Sequence, residues 1–273
     1  MNVYDCHLHS SMSLDSREDM ENYIKLAVKN KDQVFITTEH VDLESNLADQ
    51  RDLVADFEKQ KEKLAQMREK YPQIDILFGV EIGWREDIHH RDVELSHSQD
   101  FDMVILAVHE NVKGGDAFSK LKESANVDVR YDEYLKLCYN AVCAFDNFDT
   151  FAHVDYMLRY IGHTDLRNHT EMLTKIFNKV IEKDKCLEIN TKLVPHPEAM
   201  DRIDYILQLY TSLGGKKVTI GSDGHNMAFY KNGFRDAMKL MDKYGIKEVY
   251  GFKGRQPFAV PISLSGGKFY DHN

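Results

Sequence analysis

Proline and glycine are scarce, at 5 and 15 of 273 residues, and no Pro/Gly-rich stretch or shift in composition divides the chain. A single domain over residues 1–273 is therefore expected. The four cysteines, Cys6, Cys138, Cys143 and Cys186, show no C-x-x-C spacing, so buried free thiols are expected in place of a disulfide framework or a zinc ribbon. No apolar run is long enough to span a bilayer, and the first residues lack the charged-then-apolar order of a secretory signal. A cytoplasmic protein is the expectation. Excess positive charge is missing too. The formal charge of −10 argues against long nucleic acid or an anionic membrane as partner. It leaves a small anionic substrate open, because divalent cations bound in a pocket reverse the local sign.

What is present is a sizeable core, with 42% hydrophobic and 29% charged residues. Short apolar runs over 3–8, 34–38, 74–80, 103–108, 150–152, 186–190 and 217–220 read as strands. Apolar residues at helical spacing mark helices over 18–30, 52–70, 134–145, 170–184, 203–210 and 234–244. The segment 85–99 reads as a surface excursion, 111–130 as a long loop or lid candidate, and the residues from 249 as an irregular tail. Strand and helix alternate throughout, which implies an α/β fold of parallel strands with right-handed crossovers.

The chemistry-bearing residues cluster at the strand exits. His7 and His9 share a face of an extended segment. Glu39-His40, Glu81, His109-Glu110, His153 and Asp223-Gly224-His225 follow later strands, and Asp15 lies in the polar loop 10–16. Any one of these histidines is more often solvated or hydrogen-bonded than metal-bound. Six at the same topological position point elsewhere. Only a closed ring brings so many carboxyl strand ends together, so a (β/α)7 barrel with the site at those ends is expected over an open sheet. Imidazoles mixed with carboxylates suit zinc, manganese or iron. Nine positions exceed the needs of one four-coordinate ion, so two or three ions are implied. Such a centre suits phosphate-ester hydrolysis, with two ions about 3.5–4 Å apart holding a bridging hydroxide and clamping the phosphoryl oxygens. A seryl nucleophile, Ser10 or Ser222, is the competing mechanism, but neither stands in a recognisable Ser-His-Asp arrangement.

In this order, His7-x-His9, Glu39-His40, Glu81, His109, His153 and Asp223-Gly224-His225 resemble the motifs of the polymerase and histidinol phosphatase (PHP) family. The compact length, the insertion after His109 and the lack of a polymerase region look most like the L-histidinol-phosphate phosphatases of histidine biosynthesis. The resemblance implies a distorted (β/α)7 barrel with three divalent ions. His7, His9, Glu81 and Asp223 would hold the first. Glu81 would bridge to a second on His109 and His153, and the third would sit on Asp15, His40 and His225. Many family members have histidine where this chain has Asp15, and a carboxylate there favours harder cations such as manganese or iron. Glu81 and Asp223 would hold the attacking hydroxide, with no protein nucleophile.

For the substrate, Arg159, Lys192 and Arg255 are candidate phosphate contacts, and Asp42, Glu110 and Asp155 candidate partners of an amino group or imidazole. Asp5 and Glu39 are candidates to orient ligand imidazoles. The implied partner is the small phosphate monoester L-histidinol phosphate. Two other readings are a PHP phosphoesterase acting on a small nucleotide or oligonucleotide end, and a regulatory or accessory module that ions merely stabilise. The sequence leaves the oligomeric state open.

Overall fold

The computed structural model describes residues 2–111 and 126–264. Most of the lid candidate, residues 112–125, therefore lies outside the described residues. Seven strands form one sheet: β1 (Val34–Ser45), β2 (Arg51–Val54), β3 (Asp75–Gly83), β4 (Met103–Ala107), β5 (Thr150–Phe151), β6 (Cys186–Asn190) and β7 (Val218–Gly221), in the order β2-β1-β3-β4-β5-β6-β7. Only β2 runs antiparallel to its neighbour. Every residue of β4 is buried, as a parallel strand covered on both faces requires.

The ladder does not close on itself. The stretch 4–9 bridges its two ends instead. On one side Cys6 N–H donates to the Ile220 carbonyl (3.1 Å) and His9 N–H to that of Gly224 (2.9 Å). On the other, Thr38 N–H donates to the Leu8 carbonyl (2.8 Å) and Leu8 N–H to Thr38 Oγ1 (3.1 Å). The strand expected over 3–8 is thus reduced to one bridge, Leu8 with Gly224. The reason is Asp5, whose carboxylate takes the backbone N–H groups of Ser222 (2.9 Å) and Lys231 (3.0 Å). The sheet's seventh strand is β2, which corrects the helix expected from residue 52.

A small enclosed cluster shows that the curled sheet has an interior. Tyr4 and Cys6 from the bridging stretch meet Ile36, Leu77, Ile105 and Cys186 from four strands, with Phe252 beneath them. Outside lies the larger apolar layer, where α1 (Met20–Lys29), α2 (Phe57–Lys70), α4 (Val127–Ala144), α6 (Thr170–Glu182), α7 (Pro197–Ser212) and α8 (Phe234–Lys243) cover the sheet. Asp19 starts α1 by accepting the Glu21 N–H, and Met20, Tyr23, Ile24 and Ala27 form its buried face. Asp56 caps α2 in the same way.

Two expectations are corrected here. The excursion over 85–99 contains a helix, α3 (His89–Ser96), whose buried side chains include the polar Asp92 and Ser96, so no apolar stripe betrays it. The irregular tail is a hairpin, β8 (Glu248–Lys253) and β9 (Gln256–Pro261). It delivers Phe252 to the interior, a burial worth about 2–3 kcal/mol. Its turn docks at the amino ends of the strands, where Gly254 N–H meets Asp102 and Arg255 meets Asp149. Arg159 lies on the short helix α5 (Leu158–Ile161). Among the described residues no helix is long and apolar enough to cross a membrane.

Candidate metal centre

The strand exits deliver one side chain after another to the same mouth. In the bridging stretch Leu8 is buried in the outer apolar layer, which leaves His7 and His9 facing the opposite way. Parallel register sets His40 of β1 beside Glu81 of β3. His109 and His153 follow β4 and β5, while Asp223 and His225 follow β7. His153 (φ 23°) and Asp223 (φ 50°) occupy the left-handed region without being glycine, which costs of order 1–3 kcal/mol each. The surrounding bonds hold them there. His153 N–H donates to Glu188 Oε2 (3.1 Å), and Asp223 takes Arg159 Nη1 (2.6 Å) and Lys192 Nζ (3.0 Å).

Glu81 is the hub. Its buried carboxylate lies within reach of five imidazoles: His40 at 2.8 Å, His153 at 2.8 Å, His7 at 3.2 Å, His109 at 3.2 Å and His9 at 3.5 Å. His9 also stands 3.5 Å from Asp223, and its ring stacks on His40 at 3.9 Å. Asp15 reaches His225 at 2.9 Å and His40 at 3.4 Å from the exposed side. All nine predicted ligand positions therefore come together.

Burial disfavours the charge on Glu81, but His7, His109 and His40 outweigh it and hold the carboxyl well below its ordinary range. The converse holds for the imidazoles. Burial pulls His7, His40 and His109 down, yet Glu81 with Glu188, Asp15 and Asp42 respectively raises each above its ordinary value. His9 is lowered, by burial and by repulsion from His40; burial also lowers His153. The carboxylates facing these imidazoles thus favour positive charge at the mouth.

The donor set fits metal cations. His7 Nε2, His9 Nε2, His40 Nδ1, His153 Nδ1 and Glu81 Oε2 are buried without an aligned hydrogen-bond partner among the described residues. Buried polar atoms are normally paired, so this concentration of exceptions at one place calls for a ligand. Among the described residues four triads have ligand atoms within 4.8 Å of one another: His7–His9–Glu81, His7–His153–Asp223, His40–Glu81–His109 and His9–His40–His225.

The surrounding residues fix the ligands. Asp42 accepts from His109 Nδ1 (2.8 Å). Glu188 meets His7 Nδ1 at 2.6 Å, a partner that sequence reasoning missed. Its signal was there, a carboxylate within the apolar strand Cys186–Asn190. Two glycines make room for these pairs. A Cβ on Gly83 would collide with Asp42, and one on Gly221 would collide with His7 and stand 2.7 Å from Glu188 Oε1. Asp5 and Glu39 touch no imidazole directly. Glu39 accepts from the Ser10 and Ser13 hydroxyls (2.6 Å each), and Ser13 Oγ lies 3.4 Å from His9 Nδ1.

Of the candidate substrate contacts, Arg159 and Lys192 stand at the mouth on Asp223. Arg255 does not, because the hairpin turn carries it to Asp149 at the far end of the sheet. Glu110 is consumed by the Ser45 hydroxyl (2.5 Å) and the Asn46 N–H (2.6 Å), and Asp155 by Arg202 (2.7 Å). Tyr156, which the sequence did not single out, walls the mouth with its ring 4.9 Å from His109 and 5.1 Å from both His153 and the Arg159 guanidinium.

The PHP domain model matches residues 5–192. A probable histidinol-phosphatase of Clostridium acetobutylicum is 29% identical over 263 residues, spanning 94% of this chain and 100% of that protein. The histidinol-phosphatase of Lactococcus lactis is 30% identical over 266 residues, spanning 93% and 96%. The crystal structure of histidinol phosphate phosphatase from L. lactis, complexed with zinc, L-histidinol and phosphate, superposes with a TM-score of 0.83 at 27% identity, covering 93% of this chain and 98% of that one.

Proposed function

The chain belongs to the PHP domain family, and from that premise we propose that it hydrolyses L-histidinol phosphate to L-histidinol and phosphate, with residues 1–273 acting as one catalytic domain. The observation that carries the chemistry is the gathering of five imidazoles on the single carboxylate of Glu81. The substrate follows from end-to-end similarity to proteins named histidinol-phosphatase and to one crystallised with zinc, L-histidinol and phosphate.

Three divalent ions, zinc, manganese or iron, would be held here. His7, His9, Glu81 and Asp223 would take the first, Glu81, His109 and His153 the second, and Asp15, His40 and His225 the third. Bound ions supply Lewis-acid polarisation of the phosphoryl oxygens and bring the pKa of water down to about 7. Glu81 and Asp223, both held ionised, would offset the charge of the ions they bind. Arg159 Nη1 and Nη2, engaged by Asp223 and Asn190, each keep a second N–H for phosphate oxygens, and Lys192 offers a point charge.

Neither serine is arranged as a nucleophile. The Ser10 hydroxyl donates to Glu39 (2.6 Å) and that of Ser222 to Asp5 (2.5 Å), with no imidazole base on either. A small biosynthetic substrate goes with a cytoplasmic location. The test is a panel of phosphate monoesters offered to zinc-, manganese- and iron-loaded protein. L-histidinol phosphate should show the highest kcat/KM. A nucleotide monophosphate turned over faster would overturn the substrate, and a loaded protein that cleaves no ester would overturn the enzyme.

A further inference from the structure

One short stretch of β6 touches both halves of the proposed machinery. Glu188 and Asn190 stand two residues apart, so their side chains emerge on the same side of the strand. Glu188 Oε1 meets His7 Nδ1 at 2.6 Å, while Oε2 accepts the backbone N–H of His153 at 3.1 Å and the Asn190 amide N–H at 3.0 Å. One buried carboxylate thus holds two of the proposed ligands by different atoms. The Asn190 amide oxygen then accepts from Arg159 Nη2 at 3.0 Å and from the Lys192 N–H at 3.1 Å.

We propose that Glu188 and Asn190 form a strut that sets the metal ligands and the phosphate-binding arginine in one frame, Glu188 positioning His7 and His153, and Asn190 positioning Arg159. The inference rests on the metal-centre reading above and is independent of which phosphate ester is cleaved. With an ion bound, Glu188 would accept the Nδ1 proton of His7 and leave Nε2, 3.2 Å from Glu81, free to face that ion. Asn190 acts at the other end. Its orientation is fixed because its amide donates to Glu188 and its oxygen must then face Arg159, whose Nη1 is already engaged by Asp223 at 2.6 Å. The guanidinium is therefore held at two points. Space for the strut is built into the neighbouring strand, where Asn190 registers with Gly221, the glycine whose missing Cβ lets Glu188 reach His7.

Calorimetric binding separates the two roles without any turnover. Zinc titrated into metal-free wild type, Glu188→Gln and Asn190→Ala, and inorganic phosphate titrated into the zinc-loaded proteins, give both readouts. Glu188→Gln should weaken at least one zinc ion about 10- to 100-fold, the usual effect of losing a carboxylate behind a ligand histidine. Asn190→Ala should keep zinc affinity within about twofold while weakening phosphate about tenfold, as for one lost charge-assisted hydrogen bond. Wild-type phosphate affinity in Asn190→Ala overturns the strut, even if Glu188→Gln fails to fold. Wild-type zinc affinity in a folded Glu188→Gln overturns its metal half. Wild-type protein that binds zinc and phosphate but ignores L-histidinol phosphate would instead count against the substrate assignment and leave the strut standing.

Discussion

Asp92 should make the protein less stable as the pH rises, and Asp92→Asn should remove its share of that dependence. The side chain is fully buried on α3; its Oδ2 accepts only the Arg85 N–H at 3.2 Å, and Oδ1 has no partner among the described residues. Burial, reinforced by repulsion from Asp42, pushes the carboxyl up to about 7 from an ordinary 3.8. The folded chain therefore keeps a proton that the unfolded chain has already lost, and stability falls as the pH climbs through that window. Between pH 5 and pH 8 the penalty covers roughly two pH units, or about 2–3 kcal/mol. Asparagine cannot ionise. Its own imperfect pairing costs about 1–3 kcal/mol, but equally at both pH values, so it cancels in the comparison. Urea unfolding of both proteins at pH 5 and pH 8, at matched zinc saturation, gives the two stability differences. The variant should gain about 2–3 kcal/mol on wild type between them. An unchanged difference would refute the reasoning.

Removing the fork of Arg159 by Arg159→Leu should raise KM for the phosphate ester about 10- to 100-fold, read from steady-state kinetics. A KM unchanged would remove this residue from phosphate binding. Gly83→Ala forces a Cβ into the Asp42–His109 pair, and chelator competition should show one ion weakened by about 10- to 100-fold while the others stay bound. Asp15→His replaces a carboxylate with imidazole and should shift the preference of the outermost ion from manganese toward zinc, measured by competition between the two metals.

The residues at the strand exits were readable because metal chemistry needs particular side chains, and alternation of strands with helices places them at one end. That reasoning singled out Glu81, its five imidazole neighbours and Asp223, which the fold brings to one mouth. It was blind where polar residues do structural work. Asp5 replaces ladder hydrogen bonds with carboxylate bonds, so an apolar run over 3–8 became a bridge. Leu53 falls at helical spacing from Phe57, but Arg51–Val54 pairs with β1, and its largely exposed side chains give it no apolar face to read. Arg255 follows a strand-like run as Arg159 does. Only the topology shows that β8 belongs to a hairpin that turns at the opposite end of the sheet. The partners of Glu188 were hidden for another reason: a buried strand tolerates a carboxylate only beside groups that pair with it, and here those come from distant segments.

Anomalous diffraction from zinc-loaded crystals would locate the ions directly. Glu81 should contribute an oxygen at about 2.0–2.2 Å to each of two ions, with His7 and His9 completing one and His109 and His153 the other. Zinc bound elsewhere on the chain, or ions at the mouth with Glu81 outside their coordination, would contradict the shared carboxylate on which the phosphatase assignment depends.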